Sequence, residues 1–257
     1  MTILEKFRFP TILGLSVLMV GLVAGVYLTM QNQVLTSRAA SENSPRDITI
    51  TNIEASSATI SWQTTSPSPG FITFINGSAN QTVIDDRDKV TPSARSPHHV
   101  TLANLSPETT YQFKVVSGKF QTAPQEFQTG KQQTPNGFKP IIGSVLDGEN
   151  PLIGGIVYLQ INNVILESSV VKNLGNFIIP LSNLTPVIGS QAELIVISED
   201  GKGASATFNI KDDDHLIGPL KIGQDLDSTD ALGVSTEDIN GDGVVNSFDL
   251  IKKAINK

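Results

Sequence analysis

The strongest constraint on this chain's fold is a pattern: apolar side chains recur at every second position, in short runs fenced by Gly, Pro, Asn and Ser. A period of two turns one strand face toward an apolar core and the other away, and it does not fit the 3.6-residue period of an amphipathic helix. Ile48, Ile50 and Ile53 begin the pattern, Ala58, Ile60 and Trp62 share the next face, and residues 71–75 form a third strand. "HHVTL" and "YQFKVV" add two more, the latter with Tyr111, Phe113 and Val115 on one face. Many short strands with frequent turn signals imply a sandwich of two antiparallel sheets.

The pattern has clear limits. Before it, residues 9–30 form an uncharged apolar stretch behind Lys6 and Arg8, and as a helix it would rise about 30 Å, the thickness of a bilayer's hydrocarbon core. The apolar core of a cleaved signal peptide is shorter, so a retained anchor is expected, with a secreted chain after signal cleavage as the alternative. The two basic residues favour an inside N-terminus, although Glu5 and Arg38 keep the asymmetry modest. "QNQVLTSRAASENSPRD" then reads as a polar stalk, and "TGKQQTPNG" as a boundary between two β regions. The expected division is 1–8 cytoplasmic, 9–30 transmembrane anchor, 31–46 flexible stalk, 47–129 first sandwich, 130–137 linker, 138–222 second sandwich and 223–257 a C-terminal tail.

Two stretches carry family resemblances. "ATISWQT" and the Leu-x-Pro-x-Thr-x-Tyr run of "LSPETTYQFKV" resemble a fibronectin type III module, in particular the sandwich ahead of purple acid phosphatase catalytic domains. The resemblance implies an immunoglobulin-like sandwich with a buried tryptophan, and a corner where the tyrosine hydroxyl bonds to backbone. Only the fold carries over, because the metal ligands of those enzymes belong to another domain. In "IIGSVLDGENPLIGGIVYLQI" and "LGNFIIPL", Gly143, Val145, Gly148, Pro151, Leu152, Gly154, Val157, Gly175 and Phe177 resemble the carboxypeptidase regulatory-like module, a transthyretin-type sandwich. That family is non-catalytic, usually a spacer or binding platform. Val145, Val157, Leu159, Phe177 and Ile179 are the expected inward faces, and "AELIVISED" and "SATFNIKD" would complete the sandwich.

"DINGDGVVNSFD", residues 238–249, has the spacing of a calcium loop. Such a loop takes oxygens from positions 1, 3, 5, 7, 9 and 12 around a glycine at position 6. Asp238, Asn240, Asp242, the carbonyl of Val244, Asn246 and Asp249 occupy those positions, with Gly243 at the turn and Val245 at the inward position 8. Calcium is therefore the expected cofactor. Aspartate at position 12 and "VNSFDL" resemble a dockerin repeat, an EF-hand-like extracellular module that docks into cohesin domains. Dockerins carry two repeats and this sequence shows one, since "DLDSTDALGVST" lacks the glycine. By that resemblance Ser247, Phe248, Lys252 and Lys253 would contact a partner.

The remaining chemistry is sparse. No cysteine occurs, which excludes disulfides, thiolate zinc sites and a cysteine nucleophile. Acidic residues number 25 against 18 basic, with no basic run interleaved with aromatics, so nucleic acid is not an expected partner. No nucleophile elbow, phosphate loop or His-Glu-x-x-His occurs. His98 and His99 read as strand-end residues pointing to opposite faces, and residues 212–214 as a solvated acidic turn beside His215. Two modules of this size leave little room for a substrate cleft.

The fold expectation is mainly β: an N-terminal transmembrane helix, two tandem β-sandwiches and a short EF-hand-like tail. The functional expectation is a non-catalytic surface protein, single-pass in the plasma membrane with its C-terminal domains extracellular, serving adhesion, spacing or assembly. Calcium-dependent docking to a cohesin-type partner and polysaccharide binding as an accessory to an extracellular hydrolase are the alternatives.

Overall fold

A computed structural model describes residues 43–226, apart from 78, 135–139, 182–183, 185–187 and 212–214. Among the described residues no helix is long and apolar enough to cross a membrane. The expected anchor at 9–30 and the calcium loop at 238–249 lie outside them.

The first β region comprises β1 (Arg46–Thr51), β2 (Ser57–Asn76), β3 (Ala79–Ile84), β4 (Ala94–Ala103), β5 (Thr110–Ser117), β6 (Phe120–Gln121) and β7 (Gln125–Gln128). The alternation does what the sequence implies: Ala58, Ile60, Trp62, Tyr111, Phe113 and Val115 all turn into one core with Ile72, Val100, Leu102 and Phe127. One expectation is corrected. Residues 58–62 and 71–75 belong to a single 20-residue strand, β2, rather than to two. Its first part pairs with β1 and β4, its last part with β5 and β3, and the register breaks between Gln63 and Ser68. The "TTSPSPG" stretch stays extended while the chain passes between sheets, as prolines do where a ladder is interrupted. Thr64 donates to the carbonyl of Ser66 at 2.9 Å, and the hydroxyls of Ser68 and Ser117 meet at 2.8 Å, so polar groups freed by the break are satisfied.

The corner before β5 is closed by Tyr111, whose phenol oxygen accepts the Ser106 N–H at 2.8 Å. The ring itself stacks on Phe127. One side chain thus joins the core to the loop that enters the strand.

The second β region comprises β8 (Ile141–Asp147), β9 (Asn150–Pro151), β10 (Ile156–Ile161), β11 (Val164–Val170), β12 (Asn176–Ile179), β13 (Gln191–Ile197), β14 (Gly203–Asn209), β15 (His215–Lys221) and β16 (Asp225–Leu226). One sheet has the order β11-β10-β13-β14-β16 and the other β12-β8-β15, with β9 folded back on β8. Val145, Val157, Leu159, Phe177 and Ile179 are buried in a core of its own. Two glycines permit this packing. A Cβ on Gly143 would lie 2.5 Å from Phe177 Cζ, and one on Gly175 would lie 2.5 Å from the Val145 carbonyl oxygen at a backbone φ of +76°.

Tyr111→Phe is expected to lower stability by about 1–3 kcal/mol, because the Ser106 N–H loses its acceptor while the ring packing is kept. Urea unfolding followed by Trp62 fluorescence would measure it, and an unchanged midpoint would show that the corner is held by packing alone.

Candidate functional site

Alternation places Thr59 and Ser61 opposite Ala58, Ile60 and Trp62, on the face of β2 that ought to meet solvent. Both are fully buried, as is Thr51 of β1. The cover is the outer face of the second sandwich: Ile156 and Tyr158 of β10 alternate with the core residues Val157 and Leu159, yet are themselves buried. Tyr158 faces Ser61 across the seam.

Asn52 is the clasp of this seam. It follows β1 at a φ of +50°, a left-handed conformation that asparagine tolerates better than most residues. That geometry points both its peptide and its amide at β11, which among the described residues pairs with β10 alone and is an open sheet edge. The Asn52 N–H donates to the Leu166 carbonyl at 3.0 Å, the Ser168 N–H donates to Asn52 Oδ1 at 2.7 Å, and Asn52 Nδ2 donates to the Ser168 carbonyl at 2.9 Å. One asparagine therefore imitates a strand and closes an edge that would otherwise be free to pair.

Beside the clasp lies an ionic cluster. The Asp85 side chain is completely buried. Arg87 forks onto it, Nε to Oδ1 and Nη2 to Oδ2, each at 2.7 Å, and the His99 N–H adds 2.9 Å to Oδ2. Burial alone would raise the Asp85 pKa; the hydrogen bonds from Arg87, the His98 ring with Nδ1 3.5 Å from Oδ2, the Arg87 charge and the His99 N–H together outweigh it and hold the carboxyl far below the usual carboxylate range. Arg87 also donates to the Pro97 carbonyl at 2.7 Å and, from Nη1, to the Gly154 carbonyl of the second sandwich. Arg95 pairs with Asp88 and Glu199, each at 2.8 Å. Glu199 is thus a charged acceptor that the second sandwich offers to the first.

The histidines correct the sequence expectation. Neither His98 nor His99 ends a strand; both sit inside β4 and both are buried. They do point to opposite sides. His98 stacks on Trp62 with ring centroids 4.6 Å apart, while His99 faces the seam, with Nδ1 2.7 Å from Asp86 Oδ2 and Nε2 3.0 Å from Ser168 Oγ. His215 opens β15, buried, its Nε2 accepting the Lys211 N–H at 2.9 Å. Among the described residues no group of His, Cys, Asp and Glu could hold a metal ion.

A cleft of about 1090 Å³ lies between the sandwiches, and Asp86, His99, Ser168, Arg95 and Glu199 line it. The expectation that two such modules leave little room is therefore corrected: the room lies between them. Asp238, Asn240, Asp242, Val244, Asn246 and Asp249, and the partner-contact candidates Ser247, Phe248, Lys252 and Lys253, are outside the described residues. Sequence reasoning missed the seam entirely. Its local signal is the charged run at residues 85–89, but the partners of Arg87 and Arg95 lie 67 and 104 positions away.

Residues 45–129 match the family described as purple acid phosphatase, N-terminal domain. No curated protein matches the chain. Among solved structures, the sensor domain of the anti-sigma factor RsgI4 of Pseudobacteroides cellulosolvens is 27% identical, with 33% of this chain and 92% of that one covered at a TM-score of 0.26. The FN1–FN3 domains of chicken CNTN1 are 16% identical over 65% of each chain, TM-score 0.26. A two-domain fibronectin type III segment of chicken tenascin is 12% identical over 65% of this chain and 99% of that one, TM-score 0.26. The first β region is a fibronectin type III-like β-sandwich.

Two outcomes follow from the seam. Arg87→Met leaves the buried Asp85 with only Arg95, whose Nε lies 3.9 Å from Oδ1, and is expected to cost about 3–5 kcal/mol by denaturant unfolding; a loss under ~1 kcal/mol would show that Asp85 is not held by the Arg87 pair. Glu167 is buried, and burial, then the nearby Glu54 charge, push its pKa from 4.5 up to about 8. A carboxyl that binds its proton more tightly when folded contributes full stability below its unfolded pKa. That contribution declines by ~1.4 kcal/mol per pH unit as the pH rises toward the folded value. Glu167→Gln should remove this decline from thermal melts taken between pH 5 and 8, and an unchanged pH profile would contradict the assignment.

Proposed function

We propose that the chain is a membrane-anchored, outward-facing surface protein serving adhesion, spacing or assembly, with a calcium-binding C-terminal loop. The observation that supports this reading best is the seam. Two sandwiches tethered by a linker alone reorient freely, whereas these share the Asn52 clasp and the Arg87 and Arg95 bridges. A spacer or presenting arm needs that fixed geometry. A fibronectin type III-like sandwich suits an accessory role, and the apolar stretch at 9–30 would hold the unit at a bilayer.

The calcium loop belongs to the same reading. Asp238, Asn240, Asp242, Asn246 and Asp249 would supply side-chain oxygens and Val244 its carbonyl. A ligand that binds only the ordered loop adds RT ln(1 + [Ca]/Kd) to its stability, about 2.7 kcal/mol at a hundredfold excess over the dissociation constant. Isothermal titration of calcium into the full chain in detergent should show one binding event, and Asp238→Ala with Asp242→Ala should abolish it. Absence of heat, together with unchanged proteolysis of the C-terminal segment with and without calcium, would remove the calcium component. Recovery of the full chain in the soluble fraction of its host would overturn the anchored surface role.

A further inference from the structure

Clamping two sandwiches needs hydrogen bonds, but it does not need a hydroxyl aimed at a basic nitrogen. The seam contains one. Asp86 takes the Thr101 N–H at 2.9 Å and the Thr101 hydroxyl at 2.6 Å, and it faces His99 Nδ1 at 2.7 Å. Because a carboxylate only accepts, a neutral His99 carries its proton on Nδ1, and the Nε2 lone pair is then directed at Ser168 Oγ, 3.0 Å away. The Ser168 hydroxyl then donates to Nε2. Thr51 Oγ1, 2.5 Å from Ser168 Oγ, is left to donate to that oxygen and to stabilise negative charge growing on it. A nucleophile within reach of a base, with the base oriented by a third group, is the geometry of an activated serine.

A second observation points the same way. The relay opens on the cleft between the sandwiches, and all three of its side chains line that cleft. On the free edge of β11, Leu166 and Ser168 direct their peptide groups outward to Asn52. Two residues further on, Val170 directs its N–H to the same edge by strand alternation and also lines the cleft, where it can donate to an oxyanion.

We propose that Ser168, His99 and Asp86 form a nucleophilic relay that hydrolyses carboxylic esters of small acyl groups, with Asp86 as the positioning residue. Ser168 is only 3% exposed, which favours a small acyl group such as acetyl. Ser168 Oγ bonds to the ester carbonyl carbon as its proton passes to His99 Nε2. The bond from that carbon to the alcohol oxygen breaks, and the alcohol leaves with the proton. Water, deprotonated by His99, then attacks the acyl-serine and releases the carboxylic acid, returning the proton to Ser168. This activity goes beyond the spacing role and does not depend on it.

The test uses the full chain and a fluorophosphonate probe, which loses fluoride when a serine oxygen attacks its phosphorus. One phosphonyl adduct per chain, mapped by mass spectrometry to the peptide containing Ser168, is expected. His99→Gln should slow its formation by about 10²–10⁴-fold. An initial burst of p-nitrophenol from p-nitrophenyl acetate, stoichiometric with the chain, should accompany it. The parent protein alone decides the main point, so a folding defect in Ser168→Ala would not obscure it. No adduct on Ser168 in a chain that shows a cooperative thermal melt would overturn the proposal, as would labelling at an undiminished rate in a folded His99→Gln variant.

Discussion

The buried carboxylate of Asp85 is the constraint around which the described structure is arranged. An ionised group with a fully buried side chain is tolerated only when counter-charge and donors surround it. Arg87 supplies the charge through a two-pronged contact, and the same guanidinium reaches the Gly154 carbonyl of the second sandwich. Neutralising a charge inside the first sandwich and holding the second one in place are therefore a single interaction. Arg95 repeats the arrangement one step outward, with Asp88 on its own sandwich and Glu199 on the other.

This explains why the seam is polar. Ile156 and Tyr158 bury apolar surface there, but the strand faces that meet also carry Thr51, Thr59, Ser61, His99 and Ser168. Each has a partner: Thr59 meets the Thr101 hydroxyl and the Asn52 amide, Ser61 meets Tyr158, and Thr51 and His99 meet Ser168. Directional bonds fix the register of the two sandwiches, which a greasy contact leaves free to slide. They also concentrate donors, a base and a hydroxyl at the edge of a cleft, so one set of residues serves both geometry and chemistry.

The internal cores were legible in the sequence because period two states which side of a strand is apolar. Ala58, Ile60, Trp62, Val157, Leu159, Phe177 and Ile179 fall where alternation puts them, and Tyr111 closes its corner as its motif implies. The seam was not legible, for a physical reason. A polar residue on the outer face of a strand has the same local signature whether it meets water or another domain, and Thr51 finds Ser168 across 117 positions of chain. The histidines failed for the same reason: a short "HHVTL" run shows alternation but not its cover. The continuity of β2 was hidden by Pro67, Pro69 and Gly70, residue types that interrupt strands more often than they continue them.

The central claim is that the two sandwiches form one clamped unit through Asn52, Arg87 and Arg95. The chain's lack of cysteine makes it directly testable. Spin labels at Gln81→Cys and Asn209→Cys, exposed positions on the first and second sandwich, would report their separation by double electron–electron resonance. A clamped unit gives one narrow distance distribution that broadens when Asn52→Ala and Arg87→Ala are combined. A broad distribution in the parent, unchanged by those substitutions, would show two sandwiches moving independently and would contradict the account.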